Sequence, residues 1–136
     1  MITAKDPVTP QESERAFLAF LAALYIRGIE ELDDSGDVLH GSFDHALGVL
    51  KGDEQLSKAF ARYRMGGFSG RIDALDQALI RAEQFGWVQF PNPSYQRMAI
   101  AMSPADAESI LSSFGKQRAT IESAATAFEE HFHASW

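Results

Sequence analysis

Residues 69–104 constrain this chain most, because they read without interruption as a helix, a sharp stop, a two-stranded hairpin and a fresh helix start. Met65-Gly66-Gly67-Phe68-Ser69-Gly70 breaks any preceding helix, and the Ser69 hydroxyl is placed to accept a first-turn N–H as N-cap. Ile72, Leu75, Leu79 and Ala82 then recur at helical spacing, which predicts one apolar stripe on a helix reaching about residue 85. Its opposite face carries Asp73, Gln77, Ile80, Arg81 and Gln84. Gly86 suits a left-handed cap, and Trp87-Val88-Gln89-Phe90 leaves as an extended strand of aromatic and β-branched residues. Pro91-Asn92-Pro93-Ser94 turns the chain, and Met98, Ile100 and Met102 alternate with Ala99 and Ala101 as a return strand with one buried face. Ser103, Pro104 and Asp106 then supply a hydroxyl N-cap, a proline in the first turn and an acid at the positive end of the dipole.

The flanks read as helices. Residues 11–32 predict a long one, whose stripe of Phe17, Leu18, Leu21, Leu24, Tyr25, Ile29 and Leu32 is too wide for a single partner. An acidic loop follows over 30–37, and it lacks the ligand spacing and closing glutamate of an EF-hand, so it reads as solvated. Two short helices are predicted over 42–50 and 54–63, the second capped by Asp53. Residues 104–133 predict one long helix, in which Leu111, Phe114, Ile121, Ala125, Phe128 and Phe132 approach a seven-residue repeat. Such a seam pairs with a second copy and the N-terminal helix, giving a homodimer, or else is covered within its own chain.

At 136 residues the sequence suits a single domain, 1–136, and no apolar run approaches the roughly 20 residues that span a membrane. The polar start, Met1 to Pro10, lacks the features of a signal peptide, so a cytoplasmic location is expected. The absence of cysteine excludes disulfides, thiolate metal sites and thiol redox sensing. The net charge of −7 opposes phosphate binding, but it is unevenly distributed. Residues 56–103 hold six basic against three acidic residues, and the remainder six against sixteen. A basic segment on an acidic scaffold divides a DNA-facing side from a solvated back, although six cations also serve simply to solvate a surface.

Catalytic chemistry finds little support. His131 and His133, two apart on a helix, point in nearly opposite directions and share no metal. His40 and His45 read as loop and helix-surface residues, without a carboxylate and hydroxyl in relay order. The glycine-rich 66–70 segment lacks the preceding strand and the lysine of a phosphate loop. No enzyme, cofactor or metal is therefore expected. Trp87 and Phe90 read as core residues locking the hairpin to its helix, with an aromatic ligand pocket as the alternative.

The helix over 72–84, its stop at Gly86-Trp87-Val88 and the strand closing in Met102-Ser103-Pro104 resemble the MarR-type winged-helix transcription regulators. The resemblance implies a mainly α fold with a small β-hairpin wing. This is a winged helix-turn-helix core over 42–103, with long N- and C-terminal helices for dimerisation. It further implies a sequence-specific regulator whose helix enters the major groove of double-stranded DNA, with Arg71, Gln77, Arg81 and Gln84 as contacts and with Tyr95 and Arg97 touching the backbone from the wing. Two departures stand out: Ser94-Tyr95-Gln96 occupies the wing tip with Arg97 one place late, and the helix carries Asp73 and Asp76. These acids support a second reading, a winged helix that binds a protein partner rather than DNA.

Overall fold

The computed structural model describes residues 10–33, 38–66, 70–90 and 97–134. In chain order they form α1 (Pro10–Ile26), β1 (Glu31–Asp33), α2 (Val38–Leu50), α3 (Glu54–Ala59), α4 (Asp73–Gln84), β2 (Val88–Gln89), β3 (Arg97–Ile100), α5 (Pro104–Ser112) and α6 (Gln117–Ala134). The fold is mainly helical with one small antiparallel sheet, in the order β1-β3-β2.

α1 is the central helix. Residues Ala19 to Leu24 are all buried, which surrounds its middle on every side and accounts for the breadth of its apolar stripe. α5 and α6 both pack against it, α6 lies along α2 as well, and α3 and α4 meet it from another side. At the centre, Phe20 stands edge-on to Phe43 at 5.1 Å and to Phe128 at 5.8 Å, tying α1, α2 and α6 together.

The first helix ends at Ile26, not near residue 32. The Ile29 amide donates to Leu24 O and the Gly28 amide to Tyr25 O, a Schellman closure that needs a left-handed residue, and Gly28 has φ 91°. The freed residues 31–33 pair with β3, Leu32 opposite Met98, so a predicted helical turn is the third strand of the sheet. Leu32 stays in the core, while Glu31, on the opposite face of the strand, is exposed.

The predicted hairpin strands pair as Val88 with Ile100 and Gln89 with Ala99, and Met98 and Ile100 point into the core. The turn between them, with Tyr95, lies outside the described residues. α4 stops as its sequence predicts: Trp87 N–H donates to Ala82 O at 2.8 Å and Gly86 N–H to Glu83 O at 3.0 Å. Ser103 and Asp106 form a reciprocal capping box at 3.1 Å each way, with Pro104 in the first turn. Asp53 caps α3 through the Gln55 and Leu56 amides, although α3 ends at Ala59 rather than 63. α2 starts at Val38, four residues before the predicted 42.

The long C-terminal helix is two helices. Gly115 adopts φ 55°, where a β-carbon is strained, and the chain turns between Ser112 and Gln117. This bend lets α5 and α6 fold back over α1 and α2, so that Phe114, Ile121 and Phe128 are at most 3% exposed within one chain. The seam expected to form a dimer is thus covered internally. The outer side of these helices is polar, with Arg118 bonded to Glu108 and Glu122. The Arg118 hydrogen bonds also hold the Glu108 carboxyl below the usual glutamate range.

Candidate nucleic-acid interface

α4 is fixed at both ends. Its first-turn anchor comes from α2, where His40, predicted as a loop residue, is fully buried. His40 Nδ1 accepts the Ile72 amide at 2.8 Å, which satisfies a buried donor that no side-chain cap serves, since Ile72 is itself the N-cap position. The ring therefore carries its proton on Nε2 while this bond lasts. Nε2 lies 3.2 Å from Asp76 Oδ1 but off the line of a formed hydrogen bond, so the contact is electrostatic. Asp76 also takes the guanidinium of Arg71, at 3.0 Å from Nη2 and 3.3 Å from Nε. Asp76, counted with Asp73 in favour of a protein partner, is the carboxylate that joins Arg71 and His40. The predicted N-cap, Ser69, lies outside the described residues, and the N-cap position falls three residues later, at Ile72.

Leu75, Leu79 and Ala82 turn inward, leaving an outward stripe of Asp73, Gln77, Ile80 and Gln84, all exposed. Gln77 and Gln84 are thus where the sequence expects them. Ile80 is 54% exposed in the middle of this stripe, a large apolar side chain without cover.

Arg81 leans off the stripe toward α1. Its Nε lies 2.5 Å from Glu14 Oε1, and its guanidinium sits 5.7 Å from the centre of the exposed Phe85 ring. Arg97 is exposed at the start of β3, its register partner on β1 being Asp33. The described candidates therefore divide: Gln77, Arg81 and Gln84 share α4, Arg71 is tied beside its N-terminus, and Arg97 stands apart on the hairpin.

Between α1, the end of α3 and α4 runs a groove of about 500 Å³. Ala74, Ala78, Phe85 and Trp87 form one wall and Phe17 and Leu18 the other. Trp87 is only partly buried, so it serves both as a lock on the hairpin and as a wall of this groove. The Tyr63 phenol at its floor is held protonated well above the ordinary tyrosine range, by burial first and by the nearby Glu14 carboxylate second. Sequence reasoning offered an aromatic pocket at Trp87 as an alternative but missed the α1 wall of this groove, His40 as an anchor and Glu14 as the partner of Arg81. All three arise from contacts distant in sequence, and the one available sign was the excess width of the α1 stripe.

Among the described residues, no group of three His, Cys, Asp or Glu side chains converges to hold a metal ion. His131 instead bonds Ser42 through Nδ1 at 3.0 Å and stacks on His45 at 5.2 Å, which holds α6 to α2. No described helix is long and apolar enough to cross a membrane. The chain matches no protein-family model, no curated protein and no solved structure.

Proposed function

We propose that the chain is a winged-helix regulator that binds double-stranded DNA, with α4 as the reading helix and the β2–β3 hairpin as the wing. One observation carries this reading. α4, anchored at both ends, turns a polar stripe outward and is followed at once by a hairpin in a β1-β3-β2 sheet. In this reading Gln77 and Gln84 meet base edges, while Arg71, Arg81 and Arg97 meet phosphates.

The ion pairs of Arg71 and Arg81 do not oppose it. Their side chains are 36% and 53% exposed, and such pairs contribute about 0–1 kcal/mol, so a duplex phosphate competes with either carboxylate. A homodimer through Phe114, Ile121 and Phe128 is not proposed, because those side chains are spent inside their own chain. A titration of duplex DNA at two salt concentrations tests the reading.

A second reading, a module that binds a protein partner without strong DNA binding, is favoured by Ile80 and Asp73. An uncovered apolar side chain on the same stripe as an acid suits a protein surface better than a phosphate backbone. Flat DNA titrations together with a partner lost on Asp73→Asn would favour it.

A further inference from the structure

We propose that the groove between α1 and α4 is a docking site for an acidic amphipathic helix of a partner protein. It occupies the flank of α4 turned toward α1 and shares Gln77 and Arg81 with the proposed DNA contacts, so it is tested on the chain without DNA.

Three observations fit that occupant. First, the charge of the lining opposes that of the chain: Arg15, Lys58, Arg62 and Arg81 face the groove against the single acid Glu14, in a protein of net charge −7. A concentration of cations on an acidic protein draws an anionic partner and sets its orientation. Second, the walls between those cations are apolar and partly uncovered, with Phe85 64% exposed and Trp87 partly so. Exposed aromatic side chains within a charged rim are what anchors such interfaces. Third, the shape is a trough. It follows α4 from Ala74 to Phe85, a length of about 16 Å at 1.5 Å per residue, so a helix laid alongside would place apolar residues of successive turns against it. Its walls are helices and it presents no sheet edge, so an added strand would find no ladder to extend.

The test uses the full chain, labelled with ¹⁵N, and a peptide of about 18 residues built from leucine at helical spacing and glutamate elsewhere. The expected result is saturable movement of the Leu18, Ala74, Ala78 and Phe85 amide signals. Both Phe85→Ser and Arg62→Glu alter exposed residues, and each should weaken binding at least about tenfold without changing the melting temperature. The same peptide with lysine in place of glutamate should not bind. Three results would overturn the proposal: no groove signal moving at about millimolar peptide, equal binding of the lysine peptide, or saturation of the groove by 1-naphthoate while the acidic peptide leaves it unchanged. The last would make it a site for a small carboxylate.

Discussion

His40 on α2 accepts the backbone N–H of Ile72 at the start of α4, at 2.8 Å, from a position without solvent access. A buried side chain from another helix thereby satisfies the amide of the N-cap residue itself, and it ties the start of α4 to the core.

Replacing His40 by phenylalanine keeps the bulk and removes the acceptor, leaving a buried amide unsatisfied. Such a loss costs about 1–3 kcal/mol, so urea denaturation should show a lower midpoint by that margin. His40→Asn, which retains an acceptor oxygen, should recover part of it. An unchanged midpoint in His40→Phe would mean that Ile72 finds another partner.

Ile121 has no exposed surface, lying where α6 packs on α1 and α2. Ile121→Glu places a carboxylate in that core and should lower stability by more than about 4 kcal/mol, with loss of the helical circular dichroism well below the wild-type melting temperature. A folded variant of half the wild-type sedimentation mass would instead return Ile121 to an interface between copies.

Much of the region from 72 to 106 is legible in the sequence because its signals are local. Gly86 stops the helix through bonds to residues a few positions back, Ser103 and Asp106 cap each other, and Met98 and Ile100 alternate at the strand period. The misread parts depend on contacts far apart in the chain. Residues 31–33 carry no strand signal of their own and are extended because β3 offers them an edge. Gly28 and Gly115 read as tolerable helical glycines until their left-handed conformations are seen, since local periodicity runs straight through both. The candidate site divides in the same way. Gln77 and Gln84 follow from helical period, whereas the partners of Arg71, Arg81 and Asp76 follow from the path of the chain.

Tyr63 supplies a check on the core beneath the groove. Because the folded state holds the phenolic proton more tightly than the unfolded state does, stability should fall as pH rises beyond the ordinary tyrosine value of about 10. Below that value both states keep the proton and the group contributes no pH dependence. In an ultraviolet titration, the Tyr63 phenol should therefore ionise together with alkaline unfolding. A Tyr63→Phe variant that loses stability at high pH as steeply as the wild type would contradict this.

The two kinds of proposed DNA contact should separate on mutation. Arg97→Ala, on the wing, should weaken all duplexes alike and lower the salt slope by about one, as expected for one phosphate contact. Gln84→Ala, on the outward stripe of α4, should instead reduce discrimination between sequences, by about 1–3 kcal/mol if it meets a base edge with two hydrogen bonds. Asp73→Asn, at the exposed first turn, should tighten binding. Equal effects of Arg97→Ala and Gln84→Ala on every sequence would remove α4 from the role of reader.

The most direct test of the central claim is the affinity of the wild-type chain for a pool of random duplexes at about 50 mM and about 200 mM salt. Three phosphate contacts, from Arg71, Arg81 and Arg97, predict a slope of about −2.7 in log affinity against log salt, hence a loss of roughly fortyfold between the two conditions. No measurable binding at the lower salt, or an affinity indifferent to salt, would contradict a DNA-binding winged helix.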